Sequence, residues 1–523
     1  MEFDTILPPQ TNFPRISAEN LSFLAAEAFK RLSFTFTRSH LLHLVSIVQN
    51  PHSSAHDRLI ASYMLKNALV AARGKLALCQ DTGTAQVFAW KDEGIILGSD
   101  GIEALSQGIA RTWKDCFLRN STLEAKTFFS EVNPGTNLPA QIHLCATFPK
   151  DGKPALRFLF CAKGGGSSNK TNLVQATPAL LDPQAFQSFL EKQIASLGVA
   201  ACPPYSIAVV AGGISPEQNL LALKLATCGY FDEEIEGFDT RIMGVTPTRD
   251  KELESTVLSL ATHTGLGAQF GGTALAISAR VLRLPRHGAS FPVSIGVSCS
   301  AHRNLYAVID HKGIHLQSTV QRPEEIPGLL EAASLCTSQP TEAVRVDTSI
   351  GLIACRDALA SLSTGTQVLL SGKILVARDA AHARWRALLR EGKPLPKYLQ
   401  HYIIMYAGPA ETPDGYALGS FGPTTAGRMD EYADELMRGG AALVTLAKGN
   451  RSAQWTAACK KWNAVYLGSP GGIAALISEN HISASEILDY PELGMEAVRL
   501  VTVKNLPCFV LTNGRGDDFY SML

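Results

Sequence analysis

The chain has 523 residues, of which 46% are hydrophobic and 18% charged, and its formal net charge is zero. A chain of this length and composition can bury a large core, which excludes a disordered protein and predicts two or three domains. The neutral balance gives no electrostatic reason to expect nucleic acid or an anionic membrane as a partner, so a small molecule is the default substrate.

The start of the chain and its cysteines indicate a cytoplasmic protein. Met1-Glu2-Phe3-Asp4 is acidic at once and lacks the basic, apolar pattern of a signal peptide. No stretch approaches the ~18 uninterrupted apolar residues that a membrane span needs. The 11 cysteines are odd in number and scattered, without a CxxC pair, which argues against a disulfide framework.

The N-terminal half begins with helices and continues with buried strands. Apolar residues at helical spacing predict helices between Ser17 and Ala72. Short apolar runs predict buried strands at Leu156–Ala162 and Ile207–Val210. Ser215 is a typical N-cap with proline after it, and it predicts a helix that Gly229 ends.

Beyond a polar, proline-containing stretch near residues 318–340, strands and helices alternate, which predicts an α/β domain. The predicted strands and helices are, in chain order, 373–377, 380–390, 441–447, 452–462 and 464–467. The predicted division of the chain is an N-terminal domain at 1–318, a linker at 319–340 and a C-terminal α/β domain at 341–523.

Basic residues follow two of these C-terminal strands directly. In an open α/β sheet the ligand binds beyond the carboxyl ends of the strands. Arg378 and Lys448 lie at those ends. They are therefore predicted to bind a small anion.

The glycine-rich loop Lys163–Thr171 also suits an anion. It follows a predicted strand and nearly matches the P-loop pattern GxxxxGK[ST], but Asn169 occupies the last glycine position. This difference favours simple anion contact through backbone N–H groups over nucleotide binding. A tight turn without a ligand is the structural alternative.

Three cysteines lie in polar or proline-bounded loops: Cys79, Cys202 and Cys299. Each alone is typical of a structural residue, and a reactive thiolate is a further alternative. Zinc sites usually pair their ligands at short spacing, which these cysteines do not. Three dispersed loop cysteines suit a cluster that leaves one iron without a protein ligand.

Two further loops carry polar groups that suit either structure or catalysis. His287 stands beside an arginine in a turn bounded by proline and glycine, which is compatible with a catalytic histidine or with an ordinary polar one. Thr424 and Arg428 lie where a loop turns into a helix. There they form either an N-cap or an anion site at a helix N-terminus.

Together these segments resemble class I fumarate hydratases from roughly residue 20 to the C-terminus. The matching stretches are LCQDTGTA at 78–85, GTNLPAQI at 135–142, AKGGGS at 162–167, AACPPY at 200–205, GLGAQFGG at 265–272, LPRHGAS at 284–290, VSCSA at 297–301, GPTTAGRMD at 422–430, LAKGNRS at 446–452 and YPELGMEA at 490–497.

The resemblance implies an α/β fold in which an N-terminal mixed α/β cluster-binding domain is followed by a smaller C-terminal α/β domain that closes over the active site, usually in a homodimer. It implies a [4Fe–4S] cluster on Cys79, Cys202 and Cys299. The substrate contacts that it implies are Gln80, Asp81, Arg119, Gly165, His287, Arg378, Thr424, Arg428 and Lys448. The segment around Arg119 matches less well than the others.

The implied reaction is the reversible hydration of fumarate to S-malate, a step of the tricarboxylic acid cycle, with the open iron as Lewis acid. The resemblance suggests Thr424 as the base and Asp81 as the partner acid, with His287 as a third catalytic residue. A related hydro-lyase acting on tartrate or on citramalate/mesaconate is the nearest alternative. An iron or redox sensor would be expected to lack the base or the cationic clamp, yet Thr424, Arg428 and Lys448 are all present.

Overall fold

The computed structural model describes residues 1–9, 11–149, 152–233, 235, 237–335 and 343–523. Within these residues the fold is mixed α/β, as the sequence predicts. The strands are, in chain order, β1 (Phe3–Leu7), β2 (Arg15–Ile16), β3 (Thr84–Asp92), β4 (Ile96–Leu97), β5 (Glu124–Thr127), β6 (Ser130–Val132), β7 (Gln141–Thr147), β8 (Leu156–Lys163), β9 (Asn172–Ala176), β10 (Tyr205–Gly213), β11 (Thr248–Arg249), β12 (Ala276–Arg286), β13 (Phe291–Ser298), β14 (Asn304–Asp310), β15 (Gly313–Gln317), β16 (Val344–Asp347), β17 (Gln367–Val376), β18 (Ile404–Met405), β19 (Val444–Ala447), β20 (Val465–Gly468), β21 (Ile482–Asp489) and β22 (Val498–Thr512).

The helices connect and cover these strands. They are α1 (Ala18–Phe34), α2 (Arg38–Gln49), α3 (Ala55–Ala71), α4 (Gly101–Asp115), α5 (Gly165–Ser168), α6 (Pro183–Leu197), α7 (Pro216–Thr227), α8 (Lys251–His263), α9 (Leu329–Ser334), α10 (Leu352–Ala360), α11 (Asp379–Arg390), α12 (Ala433–Arg438), α13 (Ala453–Trp462) and α14 (Ala474–His481). In the described part of the chain no helix is long and apolar enough to cross a membrane.

The helical opening is confirmed as three helices, α1 to α3. The Ser17 hydroxyl caps α1 by accepting a hydrogen bond from the Asn20 N–H at 3.2 Å. Ser54 and Asp57 form a capping box at the start of α3. Each side chain therefore satisfies a backbone donor that a helix N-terminus leaves free.

Two large sheets build most of the N-terminal half, beside the strand pairs β2-β4 and β5-β6. One has the strand order β1-β15-β14-β8-β3-β7 and the other β11-β12-β10-β13-β9. The predicted strand at Leu156–Ala162 is β8. It is buried on both faces, because Phe158 packs toward α1 and α4 while Leu159 and Cys161 pack toward α7.

The predicted strand–helix unit after Ile207 is confirmed as β10 followed by α7. The Ser215 hydroxyl accepts from the Gln218 N–H at 3.3 Å, and Pro216 is the first helical residue. Gly229, with φ of +78°, follows the end of the helix. This left-handed conformation suits glycine and ends the helix there.

The C-terminal half is built on a sheet in the order β16-β17-β18-β19-β20-β22-β21, in which β16 to β20 run parallel. The predicted strand–helix alternation is confirmed. Strand β22 pairs antiparallel with both β20 and β17, so these pairings close a ring that an open sheet lacks. Strand β19 begins at Val444 rather than at Ala441, because Ala442 has a left-handed φ of +54°.

One hydrophobic core joins the two ends of the chain. Buried residues of α2 and α3, among them Leu44 and Ile60, belong to the same cluster as Leu370 and Ile404 of the C-terminal sheet. Helix α9 packs on α2 and α3 and lies inside the predicted linker. Residues 336–340 of that linker, which include Ser338-Gln339-Pro340, lie outside the described residues, and the predicted domain boundaries stay a prediction.

Candidate active site

A cavity of about 230 Å³ lies between the two halves of the chain. It brings together most of the predicted substrate contacts, although they are up to 368 positions apart in the sequence. The predicted residues that line it are Gln80, Asp81, Arg119, Gly165, Arg378, Thr424, Arg428 and Lys448.

Asp81 is held as a carboxylate on the N-terminal wall of the cavity. Its Oδ1 atom lies 2.8 Å from Nη2 of Arg119, and its Oδ2 atom accepts a hydrogen bond from the Gly165 N–H at 2.8 Å. Burial favours the neutral acid, but Arg119, Arg303, the Gly165 N–H and Lys448 together lower the pKa of Asp81 to about 2. This side chain is therefore ionised near neutral pH.

The glycine-rich loop contributes backbone rather than side chains. Gly165 begins the single-turn helix α5, and Asn169 ends it. The loop thus forms one short helical turn whose first N–H is directed at Asp81. This N–H contacts a carboxylate of the protein itself, and the contact of the loop with a bound anion stays a prediction.

Arg119 and Gln80 bridge the two halves of the chain. Nη1 of Arg119 donates to the Gly408 carbonyl at 3.2 Å, and Nε2 of Gln80 donates to the Pro423 carbonyl at 3.0 Å. Both side chains are buried. They fix the N-terminal wall of the cavity against the C-terminal wall.

Two arginines on the C-terminal wall are oriented by acidic neighbours. Arg378 follows β17, and its Nη2 and Nε atoms lie 2.7 Å from Glu496 and 3.2 Å from Asp379. Nη2 of Arg428 lies 2.7 Å from Asp379 and donates to the Thr424 hydroxyl at 3.4 Å. The prediction of basic groups beyond the strand ends is confirmed.

Thr424 and Lys448 lie on adjacent backbone segments. The Lys448 N–H donates to the Thr424 carbonyl at 3.1 Å, and the Thr424 N–H donates to the Tyr406 carbonyl at 2.8 Å. The Lys448 ammonium donates to the sulfur of Cys202 at 2.8 Å. Lys448 therefore connects the predicted substrate contacts to the predicted cluster ligands.

The three cysteines interact electrostatically with one another and with Lys448, which lines the cavity. Cys79 and Cys202 are buried and Cys299 is half-buried. Each of the two buried thiols interacts electrostatically with the other, with Cys299 and with Lys448. Burial raises the pKa of Cys202 to about 11 despite the opposing effect of Lys448.

The residues packed around Cys202 hold its sulfur in one position, as a ligand of a bound group requires. A Cβ atom on Gly471 would overlap Sγ of Cys202 and would lie 3.0 Å from Cδ of Lys448. Among the described residues no group of three or more His, Cys, Asp or Glu is arranged to hold a single metal ion. A polynuclear cluster spaces its cysteine ligands farther apart than one ion does, so three cysteine sulfurs and a neighbouring ammonium suit a sulfur-ligated, negatively charged cluster.

His287 does not join this assembly. It lies exposed in the turn between β12 and β13, where its Nδ1 atom accepts a hydrogen bond from the Ala289 N–H at 3.2 Å. It is not among the residues that line the cavity. The chain by itself therefore does not place this side chain at the cavity, and its catalytic role stays a prediction.

Three further charged residues surround the cavity without having been predicted. Lys163 and Glu496 line it, and Arg303 is buried where its charge acts on Asp81 and Cys79. Lys163 and Glu496 stand inside the motifs AKGGGS and YPELGMEA, and Arg303 is the second residue after VSCSA. Their position in these motifs was the available signal, since nothing in their local pattern indicates a shared site.

Comparison with known proteins agrees with this geometry. Residues 23–308 match the family described as "Fumarate hydratase (Fumerase)", and residues 315–523 match "Fumarase C-terminus". The chain is 44% identical over 508 residues to "Fumarate hydratase 2" of Leishmania major, covering 97% of this chain and 87% of that protein. It is also 44% identical over 510 residues to "Fumarate hydratase class I, aerobic" of Escherichia coli strain K12, covering 97% and 91%.

The chain belongs to the class I fumarate hydratase family. It is a hydro-lyase. A shorter similarity is also found: the chain is 33% identical over 163 residues to "Putative L(+)-tartrate dehydratase subunit beta" of Methanocaldococcus jannaschii, covering 30% of this chain and 84% of that protein.

Proposed function

We propose that this member of the family catalyses the reversible hydration of fumarate to S-malate and that Cys79, Cys202 and Cys299 hold a [4Fe–4S] cluster. The observation that carries the proposal is that Lys448 lines the cavity together with Arg378 and Arg428, while its ammonium donates to the sulfur of Cys202, which interacts electrostatically with Cys79 and Cys299. Its volume of about 230 Å³ suits a four-carbon dicarboxylate. A cluster bound there would supply an iron without a protein ligand, which acts as a Lewis acid on the substrate oxygen.

Arg378 and Arg428 are the groups that we assign to the substrate carboxylates. Within the described residues Arg378 engages its acidic neighbours through Nε and Nη2, and Arg428 does so through Nη2. Each guanidinium therefore keeps donors for a further oxygen. Because Glu496 and Asp379 fix both guanidinium planes, the clamp is oriented before the substrate arrives.

Thr424 is the group that we assign to proton transfer at C3 of malate. A threonine hydroxyl is too weak a base unaided. The Nη2 atom of Arg428, 3.4 Å from the hydroxyl oxygen, and Lys448 on the adjacent segment supply the positive field that favours its deprotonated form. The same charges stabilise the aci-carboxylate that forms when the proton leaves.

Asp81 is the group that we assign as partner acid. Since its pKa is lowered to about 2, it is a carboxylate in the resting protein. Its role as an acid requires that it take up a proton during the catalytic cycle, and the Gly165 N–H and Arg119 hold it in place for that step.

Thr424→Ala tests the base, with Thr424→Ser as its matched control. Loss of one transition-state contact of this kind typically costs about 100–1,000-fold in rate. We expect Thr424→Ala to lower kcat by at least about 100-fold with iron and sulfide content unchanged, and Thr424→Ser, which keeps the hydroxyl, to retain much of it. Near-normal turnover of the alanine variant would place the base elsewhere.

The cluster is tested by anaerobic purification, iron and sulfide assay, and turnover of malate and fumarate before and after exposure to air. We expect activity to follow cluster content. An active, iron-free protein would contradict the proposal.

A tartrate or citramalate/mesaconate hydro-lyase is the second candidate, because 30% of the chain is similar to a putative tartrate dehydratase subunit. Measurement of kcat/KM for malate, both tartrates and citramalate separates the two. We expect malate to have the highest value. Homodimer assembly and a cytoplasmic location stay predictions of the resemblance.

A further inference from the structure

Two cysteines outside the active site lie in direct contact. The sulfur of Cys161, on β8, donates to the sulfur of Cys228, which follows the last residue of α7, at 3.0 Å. The two sulfur atoms are therefore closer together than even non-bonded carbon atoms, which pack at about 3.5–4.0 Å. Both cysteines are fully buried, and neither is among the predicted cluster ligands.

The pair lies beside two lysines. The Lys163 ammonium donates to the Thr227 carbonyl, directly before Cys228, at 3.2 Å, and Lys224 lies one turn earlier on α7. Burial alone would raise the pKa of both thiols. The S–H of Cys161 and the two ammonium groups instead lower the pKa of Cys228, while burial and the neighbouring sulfur raise that of Cys161. This difference favours Cys228 as the nucleophile of the pair.

A second cavity lies next to the residues that flank the pair. It has a volume of about 340 Å³, and Lys163, Lys224 and Thr227 line it. Leu220 and Met243, which also line it, are exposed to solvent. The cavity therefore opens to solvent, and its lining includes Thr227, the residue directly before Cys228, although neither cysteine lines it.

We propose that Cys161 and Cys228 form a reversible, peroxide-reactive dithiol, which closes to an intramolecular disulfide. The two sulfur atoms need to approach by only about 1 Å to reach the ~2.05 Å of an S–S bond. The second thiol is in place to react at once, which favours the disulfide over further oxidation of a sulfenic acid.

Hydrogen peroxide is the oxidant. The Cys228 thiolate attacks one oxygen, the O–O bond breaks, and the products are a Cys228 sulfenic acid and hydroxide, which takes up a proton to become water. The Cys161 sulfur then attacks the Cys228 sulfur. The S–S bond forms, the S–O bond breaks, and the departing hydroxide takes the Cys161 proton as a second water. Two thiols lose two electrons in total, and one peroxide is reduced.

The pair is connected to the candidate active site through one neighbouring residue. Lys163 follows Cys161 by two residues, lines both cavities, and is already tied to the end of α7 through Thr227. The disulfide would join β8 to α7 at that point. The proposal does not depend on the hydratase activity or on the cluster, because the oxidation state of the two cysteines is measured directly.

The test is thiol mapping by mass spectrometry of the anaerobically purified full-length protein, before and after graded hydrogen peroxide. Free thiols are alkylated in denaturant, and reducible thiols are then labelled with a second reagent. We expect a Cys161–Cys228 cross-linked peptide that has lost two hydrogens, and we expect dithiothreitol to reverse it. The exposed Cys145 serves as an internal measure of the oxidant dose.

Cys228→Ser and Cys161→Ser should each abolish the cross-link, whereas Cys508→Ser, a change at a buried cysteine hydrogen-bonded to the Val368 carbonyl, should leave it intact. The wild-type result alone can overturn the proposal, even if a variant does not fold. If Cys145 is fully oxidised while Cys161 and Cys228 remain free, or if each is oxidised separately without a cross-link, the pair is a packing contact only.

Discussion

Replacement of Gly471 by alanine is the sharpest test of how the fold fixes the predicted cluster ligands. The new Cβ atom would overlap Sγ of Cys202 and would lie 3.4 Å from its Cβ and 3.0 Å from Cδ of Lys448. The backbone of Gly471 cannot retreat easily, because Gln269 accepts from its N–H at 2.7 Å and donates to its carbonyl at 3.1 Å. The displacement therefore falls on Cys202 and Lys448.

The size of that displacement decides the outcome. To restore a normal non-bonded contact, the sulfur of Cys202 must move by more than about 1 Å. Metal sites tolerate deviations of only about 0.2 Å in their ligand distances. We therefore expect Gly471→Ala to lose most of its iron and sulfide and at least about 10-fold in turnover, while its circular dichroism spectrum stays unchanged.

Gly288→Ala is the matched control, since a Cβ atom at that glycine meets nothing within 4 Å. Both variants are purified anaerobically and assayed for iron, sulfide and cluster absorbance. Full cluster content in Gly471→Ala would refute the placement of Cys202 as a ligand. Equal loss in both variants would show that a general effect on folding, rather than the position of this sulfur, is responsible.

Three other predictions test separate parts of the structure. Arg378→Lys should raise KM for malate by about 10-fold or more, because lysine loses the planar, bidentate contact; Arg386→Lys, at an arginine that pairs with Glu431 rather than with the cavity, should leave KM unchanged. Burial lowers the pKa of His382 to about 4, so the folded protein resists a protonation that the unfolded chain accepts near pH 6.5. The free energy of unfolding is therefore unaffected by His382 above pH 6.5 and falls by about 2 kcal/mol by pH 5. His382→Asn should flatten the decline of the urea midpoint between these pH values, and His311→Asn, at an exposed histidine, should not. Ser215→Ala removes the N-cap of α7 and should lower the free energy of unfolding by about 1 kcal/mol, measured by urea titration; an unchanged midpoint would show that the cap contributes nothing.

Local sequence signals predicted the elements whose ends are set by their own residues. The helix after Ser215 is an example, since its cap, its first proline and its terminating glycine all lie within 15 residues. The closure of the C-terminal ring could not be predicted in this way. Strand β22 pairs with β17 across more than 120 residues, and no local pattern encodes such a partner.

The site shows the same division between local and long-range information. Local pattern alone placed Arg378 and Lys448 at strand ends, but it left each of the loop cysteines more typical of a structural residue. The resemblance supplied the remaining residues of the cavity. Neither source indicated Arg303, whose role depends on the field that it exerts on Asp81 from a different segment.

The contacts between the halves explain why the chemistry could not be assigned to either one. Asn67 of α3 donates to the Gly472 carbonyl at 3.4 Å and accepts from the Leu476 N–H at 2.9 Å. Gly472 directly follows Gly471, the glycine that packs against the sulfur of Cys202. Helix α3 belongs to the N-terminal half yet packs into the C-terminal core. The distance between the predicted cluster ligands and the cationic clamp is therefore set by one shared core. A change in that core should alter cluster binding and substrate affinity together, even where it touches neither the thiols nor the arginines.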